Sequence, residues 1–269
     1  MSYYKVKKGG LNMLSKERLF RIMELIDEQS FVTIQELMTI LKASKSTVTR
    51  DLLQLESQGL IQRERGGAIK KELPQTLSSS TDLPVINKEN INLEKKNMIG
   101  KVASNLVKNG QCIYIDSGTT PVAMLPYLKD KNIKLVTSSN YLIRKLPKHF
   151  KGELFLIGGH YLPDFDMSVG HVAIEEIQRF HFDQAFFSAS GVDLESEEVM
   201  SVDFEIGGIK SSVLQRTHQA HLLIDDSKFA VEALATWAKL EDFDTIFVNA
   251  CENQANLPKQ FHICKEHGE

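Results

Sequence analysis

The sequence has few cysteines, no long hydrophobic run and little net charge. Its three cysteines, Cys112, Cys251 and Cys264, are far apart among 269 residues and form no C-x-x-C pair, so we expect reduced structural thiols and no disulfide framework. No apolar run reaches the roughly eighteen residues of a membrane-spanning helix, and the N-terminal residues lack the apolar centre of a signal peptide. These absences predict a cytoplasmic protein without a membrane partner.

The net charge of -3 hides an asymmetry along the chain. Residues 1–72 carry 13 Lys and Arg against 9 Asp and Glu, whereas the remainder carries 19 against 26. A basic N-terminal part is compatible with nucleic acid binding, although an excess of this size also occurs on ordinary solvated helices. The length favours two domains, since one domain usually has about 150 residues.

Three helices and a hairpin are predicted in the N-terminal part. A supporting helix begins near Ser15, and Thr33-Ile34-Gln35-Glu36 has the capping-box spacing that starts a second helix. Ser44 is placed to cap a third helix. Apolar residues recur at helical spacing in the last two helices, at Ile34, Leu37, Met38 and Leu41 and then at Val48, Leu52 and Leu55. Two short strands around Glu64-Arg65-Gly66-Gly67 then predict a wing.

This series of elements is typical of a winged helix-turn-helix domain, predicted over residues 13–72, that binds double-stranded DNA. Hydroxyl groups approach phosphates and base edges closely, and arginine binds guanine bidentately. A small helical domain that binds protein is the alternative interpretation, but the basic wing favours DNA. The predicted DNA-binding residues are Thr33, Ser44, Lys45, Ser46, Thr47, Thr49, Arg50, Arg63 and Arg65.

Residues 73–92, with two prolines and a serine run, are predicted to be a linker. From residue 93 to 269, short continuous apolar runs alternate with helical patterns, for example at Cys112 to Ile115 and Ala185 to Ser188. Strands that are apolar on both faces indicate a parallel sheet covered by helices on both sides. The second domain is therefore predicted to be a doubly wound, mostly parallel α/β domain.

Ligands of such domains bind beyond the carboxyl ends of the strands. The strand ending at Ile115 is followed by Asp116, Ser117, Gly118, Thr119 and Thr120, and then by Pro121. Glycine allows a close backbone approach, hydroxyl groups can donate, and proline suits the first turn of a helix whose free amides would face an anion. This segment predicts a phosphate-binding loop, although a plain tight turn would look similar.

Other predicted strand ends add polar groups to the same rim. Gly158 and Gly159 follow one strand, Asp193 follows another, and Lys228 lies in the Asp225-Asp226-Ser227-Lys228 loop. Lys210, in a predicted helix, is a further cation candidate. Carboxylates beside a phosphate site suit a polyol. The predicted effector-binding residues are Asp116, Ser117, Gly118, Thr119, Thr120, Gly158, Gly159, Asp193, Lys210 and Lys228. We expect no metal or other cofactor.

The chain from about Met13 resembles the DeoR family of transcriptional regulators. The resemblance rests on S-x-S-T-V-T-R-D-L and R-G-G-A, then D-S-G-T-T, L-I-G-G, H-F-D-Q-A-F, S-G-V-D and D-D-S-K-F in this order. The family's sensor domain is similar to sugar-phosphate isomerases of the ribose-5-phosphate isomerase type. The resemblance implies an oligomeric repressor, a dimer or tetramer, of sugar uptake or catabolic genes that a phosphorylated sugar releases from DNA.

The sequence departs from the family pattern at three places. Thr49 replaces the first of two arginines in the recognition helix, and Arg65 replaces a wing histidine. Ile206 stands four residues before Lys210, where the family commonly has glutamate. The operator and the effector pocket of this protein are therefore expected to differ in detail from those of other members.

Two alternatives to an effector-controlled regulator remain from the sequence. One is a sugar-phosphate isomerase with a DNA-binding appendage, in which Asp193 is the candidate general base. The other is a repressor whose pocket no longer binds a ligand. We predict a regulator without enzymatic activity.

Overall fold

The computed structural model describes residues 15–29, 31–57, 61–70, 84–250 and 257–265. The chain divides into two compact units, Met1–Leu73 and Pro74–Glu269. Residues 13 and 14 at the start of the predicted DNA-binding domain, residues 73–83 of the predicted linker, and Cys251 lie outside the described residues. In the described part of the chain, no helix combines the length and the apolar character needed to span a membrane.

The N-terminal unit consists of three helices and a small antiparallel sheet. Its elements are α1 (Ser15–Gln29), β1 (Phe31–Thr33), α2 (Ile34–Leu41), α3 (Lys45–Ser57), β2 (Ile61–Glu64) and β3 (Gly67–Lys70). The strand order is β1-β3-β2, so the wing hairpin gains a third strand that the sequence pattern did not predict. Leu37, Val48 and Leu52 are fully buried in one core with α1, as their helical spacing predicts.

The C-terminal unit contains a sheet of seven strands, all paired in parallel. The strand order is β15-β14-β12-β9-β4-β5-β6. These strands are β4 (Cys112–Ile115), β5 (Lys134–Thr137), β6 (Glu153–Leu156), β9 (Phe182–Phe187), β12 (Thr217–Leu223), β14 (Thr245–Asn249) and β15 (Phe261–Cys264). The predicted parallel α/β domain is confirmed, while β15 was not predicted.

Helices cover both faces of this sheet. They are α4 (Leu93–Ser104), α5 (Thr119–Val122), α6 (Leu125–Leu128), α7 (Asn140–Lys145), α8 (His171–Ile177) and α9 (Phe204–Leu214). Ile113 and Phe186 face one apolar cluster, and their neighbours Tyr114 and Phe187 face the other. Because adjacent strand residues alternate between faces, burial on both sides produces the continuous apolar runs of the sequence.

Short antiparallel strands lie outside the parallel sheet. They are β7 (His160–Leu162) with β8 (Met167–Val169), and β10 (Gly191–Asp193) with β11 (Glu198–Ser201) and β13 (Ala235–Lys239). Two 3-10 helices, Asp226–Ala230 and Leu240–Asp242, complete the unit. None of these antiparallel strands was predicted as part of a separate sheet.

Residues 84–92 belong structurally to the C-terminal unit, although the sequence assigned them to the linker. Val85 is 6% exposed and packs in the cluster around α4. Its amide donates to the carbonyl of Asp164 at 2.8 Å. The partner of this segment lies about 80 residues away in the sequence, so a local polar composition gave no sign of the contact.

Candidate functional site

The N-terminus of α3 presents a cluster of hydroxyl groups. The Ser44 hydroxyl accepts from the Thr47 amide at 3.3 Å and lies 2.9 Å from the hydroxyls of both Ser46 and Thr47. Lys45 and Arg50 are exposed, and Thr49 is half-buried, whereas Val48 is buried. The predicted DNA-binding residues Ser44, Lys45, Ser46 and Arg50 are therefore exposed, whereas Val48 packs inward.

A buried ion pair fixes α3 against α1. Arg18 donates from Nε and Nη2 to the Asp51 carboxylate at 2.8 and 3.2 Å, and Asp51 is 1% exposed. Bidentate pairing of this kind specifies orientation as well as distance. Asp51 directly follows Arg50 in the sequence, so the pair holds the helix with Arg50 outward. The sequence analysis missed it because Arg18 lies 33 residues away.

The wing turns at Gly66, where φ is +86°, a conformation that glycine adopts without strain. Arg65 at the tip is exposed. Arg63 already has a partner within the unit: its amide donates to Glu56 at 3.1 Å, and its guanidinium lies 3.5 Å from the same carboxylate. Thr33 closes the capping box with Glu36, as predicted, so its hydroxyl already has a structural role.

The C-terminal unit contains a cavity of about 160 Å³ at the carboxyl end of β4. Six of the predicted effector-binding residues line it, namely Ser117, Gly118, Thr119, Thr120, Lys210 and Lys228. Further lining comes from residues outside the predicted set: Val85, Lys88, Ile91, Asn92, Lys96, Phe165, Ser188, Ser190, Ile206, Asp225 and Ser227. The lining thus combines hydroxyl groups and amines with an apolar part.

Asp116 is fully buried and forms an ion pair with Lys210, which is 4% exposed. The same carboxylate oxygen accepts from the amide of Ser188 at 2.9 Å and from its hydroxyl at 2.5 Å. Burial raises the pKa of Asp116, but the charge of Lys210 and these hydrogen bonds outweigh it, so the pKa lies below its ordinary value. Asp116 is therefore ionised, and one of its two carboxylate oxygens is fully engaged by Lys210 and Ser188.

Gly118 allows the predicted phosphate-binding loop to lie close to the end of β9. A Cβ atom at this position would lie 2.2 Å from the Ser188 hydroxyl oxygen and 2.4 Å from its Cβ atom. The following helix α5 has only four residues, Thr119–Val122, which is much shorter than the helix predicted from Pro121. An anion in this cavity would consequently depend on loop groups and lysines more than on a long helix dipole.

Lys96 supplies a cationic group that the sequence analysis missed. This lysine of α4 is 4% exposed, and its ammonium donates to the Lys88 carbonyl at 2.7 Å. Burial lowers its pKa to about 8, with Lys228 and Lys88 acting in the same direction and Asp225 opposing them. A buried ammonium without a bonded carboxylate among the described residues favours an incoming anion.

The Asp225–Lys228 loop forms polar contacts with the start of α4 and the residue before it. The Asn92 side chain donates to Asp225 at 2.9 Å, and Lys95 forms an ion pair with Asp226 at 2.7 Å. The Ser227 amide also donates to Asp225, at 3.1 Å. Lys228, predicted from the sequence, reaches the cavity from this loop.

The structure does not bring Gly158, Gly159 or Asp193 into the cavity lining. The two glycines follow β6, which lies two strands from β4 at the edge of the sheet, roughly 10 Å away at the usual strand spacing. Asp193 accepts from the Glu195 amide and the Ser196 hydroxyl, both at 2.8 Å, within the turn between β10 and β11. The expectation that these strand ends meet on one rim is corrected for these three residues.

Two family matches cover most of the chain. Residues 18–72 match the DeoR-like helix-turn-helix domain, and residues 91–250 match the DeoR C terminal sensor domain.

Several curated relatives align with this chain over most of its length. The HTH-type transcriptional repressor GlcR of Bacillus subtilis (strain 168) is 29% identical, with 90% of this chain and 92% of GlcR covered. The HTH-type transcriptional regulator FruR of the same organism is 31% identical, with 89% and 93% covered. The glycerol-3-phosphate regulon repressor of Escherichia coli (strain K12) is 27% identical, with 88% and 92% covered.

Among solved structures, ribose 5-phosphate isomerase A from Methanocaldococcus jannaschii matches 51% of this chain and 55% of its own at 17% identity and a TM-score of 0.38. That score is too low to indicate a function. The three curated relatives are named as regulators or repressors, and none of them as an isomerase. The sensor domain matches 160 of the 269 residues, and the chain therefore belongs to the DeoR family of DNA-binding transcriptional regulators.

Proposed function

We propose that this protein represses genes of sugar uptake or metabolism and that a phosphorylated sugar, bound in the cavity of the C-terminal unit, releases it from operator DNA. The observation that carries the proposal is Lys96, a buried ammonium in a cavity lined by hydroxyl-bearing loop residues. We expect the protein to act in the cytoplasm as a homo-oligomer, because a winged domain reads a palindrome through a two-fold pair.

The charges of the cavity fit a phosphomonoester. Lys96 and Lys228 contribute two positive charges to the lining, against the single carboxylate of Asp225. Lys210 adds nothing to this excess, because Asp116 neutralises it. A phosphate ester carries about -1.5 to -2 charges at pH 7, so this positive excess attracts it.

The hydroxyl groups of the ligand have fewer carboxylate partners than the sequence suggested. Asp116 is fully buried and pairs with Lys210, and one oxygen of Asp225 already accepts from Asn92 and Ser227. Ser117, Thr119 and Thr120 remain as hydroxyl partners in the lining. We infer that the phosphate group of the ligand contributes most to recognition. Ser117, Thr119 and Thr120, together with Gly118, would contact this group.

Residues 84–92 line the cavity and lie, in the sequence, on the side of the C-terminal unit that leads to the DNA-binding unit. This segment directly follows the linker and contributes Val85, Lys88, Ile91 and Asn92 to the lining. An anion that attracts the Lys96 ammonium away from the Lys88 carbonyl would break the hydrogen bond that fixes this segment to α4. The effector would then shift the population of DNA-binding arrangements, provided that it binds one arrangement more tightly.

Release from DNA by defined sugar phosphates tests the proposal. We expect at least one member of a panel of pentose, hexose and triose phosphates to dissociate the purified protein from its own upstream DNA. Lys96→Met should abolish this response while DNA affinity is retained, and Lys101→Met, on an exposed position of the same helix, should behave as the parent. A panel in which no sugar phosphate binds or releases the protein would favour a pocket that has lost its ligand.

A further inference from the structure

Strand β6 forms one edge of the parallel sheet and exposes large apolar side chains there. Phe155 is 37% exposed and Leu156 is 47% exposed. The strand at the opposite edge, β15, has no large apolar side chain of comparable exposure among its described residues. Edge strands of monomeric proteins usually carry charge or proline at such positions, because an apolar open edge pairs with other chains.

The two exposed side chains lie on opposite faces of the sheet. Phe155 contacts Phe180 on the face of α8, with ring centroids 5.8 Å apart. Leu154 packs in the cluster around α4, and Leu156 shares its face because strand residues alternate. A helix laid on one face would cover only one of the two residues. Another strand continuing the sheet would cover both.

The backbone groups of β6 define how such a strand would pair. The amides of Glu153 and Ile157 donate to the carbonyls of Ile133 and Thr137, at 2.9 and 2.8 Å. In a parallel ladder alternate residues bond to the same neighbour, so Leu154 and Leu156 direct their amides and carbonyls away from β5.

We propose that a second copy of this chain pairs at β6, antiparallel to the first, about a two-fold axis at Phe155. This register places Leu154 opposite Leu156 of the partner subunit and Leu156 opposite the partner's Leu154. Each of these two pairs exchanges two hydrogen bonds, so both outward-facing amides and both outward-facing carbonyls of each strand are bonded. It also matches Phe155 with its own counterpart and places apolar side chains opposite one another on both faces. The inference rests on the proposed function only in that a palindromic operator requires two-fold symmetry.

The oligomeric state of an edge variant tests the interface. Sedimentation velocity over a concentration series should give a dimer or a higher oligomer for the parent and a smaller species for Leu156→Lys. The matched control is Val172→Lys, because Val172 is also exposed, at 56%, but lies on α8 rather than on the edge strand. A monomeric parent, or a Leu156→Lys variant with the oligomeric state of the parent, overturns the proposal.

A cysteine variant tests the register independently. Opposed residues in a non-hydrogen-bonded pair have Cα atoms about 4.5 Å apart, within the range of a disulfide. Phe155→Cys should therefore cross-link two chains under mild oxidation faster than Glu153→Cys, whose counterpart in this register is the partner's Ile157. Equal or reversed cross-linking of the two variants overturns the two-fold pairing.

Ligand binding separates this inference from the proposed function. Leu156→Lys should bind a sugar phosphate with the affinity of the parent, because β6 does not line the cavity. Its affinity for palindromic DNA should fall by roughly a hundredfold, since a single reading domain lacks avidity. Unchanged affinity for the palindrome counts against the interface, whereas absence of any sugar-phosphate response in the parent counts against the effector alone.

Discussion

The ammonium of Lys210 pairs with the carboxylate of Asp116 across the interior of the sensor unit, from α9 to the end of β4. The same ammonium donates to the Ser188 carbonyl at 2.9 Å and lies 5.4 Å from the centre of the Trp237 ring. Four segments that are far apart in the sequence therefore meet at one buried charge pair beside the cavity. This pair is a structural support of the site, and an effector would not need to neutralise it.

We predict that Lys210→Met destabilises the protein by about 3–5 kcal/mol, because it leaves the Asp116 charge buried without a partner. The double variant Asp116→Asn with Lys210→Met should recover most of this loss, since no charge remains to be buried. Urea unfolding at pH 7 measures both. Lys151→Ala, which breaks the exposed ion pair with Asp130, is the control and should leave the midpoint nearly unchanged. Additive effects of the two substitutions would contradict a coupled pair.

The sequence predicted the elements whose signals are local. The capping box at Thr33 and the spacing of Leu37 and Leu41 determine α2 without help from the rest of the chain. The apolar runs of β4 and β9 reflect burial on both faces, so their parallel arrangement followed as well. The rule for strand ends also predicted that the loop after β4 lines a cavity, as it does.

The sequence could not predict contributions that depend on distant partners. Lys96 follows Lys95 in a polar stretch typical of a solvated helix, and only the packing of Asp225 and Lys88 around it reveals a buried amine. Asp193 was expected on the rim, but the chain enters a short antiparallel hairpin there, whose pairing with β13 involves residues about 40 positions later.

We predict that Gly118→Ala disrupts the cavity. The added Cβ would lie 2.2 Å from the Ser188 hydroxyl oxygen, so either the loop or Ser188 must move, at a cost of about 1–3 kcal/mol. Binding of a sugar phosphate, measured by calorimetry, should weaken accordingly. Gly208→Ala is the matched control, because its Cβ would meet no atom closer than 3.8 Å and alanine favours the helix. Parental affinity in Gly118→Ala would show that the loop does not approach the ligand.

We predict different effects for the two exposed arginines of the DNA-binding unit. Arg50 projects from α3, and Arg50→Ala should cost about 1–3 kcal/mol on the cognate operator and relax its sequence preference. Arg65 lies at the wing tip, and Arg65→Ala should weaken binding to all sequences and reduce the salt slope by about 1. Fluorescence anisotropy over a salt series measures both. Arg63→Ala should have the smaller effect on the salt slope, because Glu56 already neutralises Arg63.

We predict that Lys96→Met raises stability while it removes the effector response. The folded pKa of Lys96 is about 8, below the ordinary value of 10.5. The unfolded chain therefore binds more protons between these two values, and the free energy of unfolding of the parent should rise with pH across that window. Removal of the amine should stabilise the protein at pH 7 by roughly 2–3 kcal/mol, less the lost hydrogen bond to Lys88.

A bound anion opposes the effect of burial on the pKa of Lys96, because it stabilises the charged form of this side chain. Sugar-phosphate affinity of the parent should therefore fall as the pH rises above about 8, and binding near that pH should take up protons, which calorimetry in buffers of different ionisation enthalpy detects. Lys96→Arg keeps the charge and should lose this pH dependence above 8, since arginine stays protonated. If Lys96→Met were less stable than the parent at pH 7 and still bound sugar phosphates, Lys96 would be a structural residue, and the anion site would lie elsewhere in the cavity.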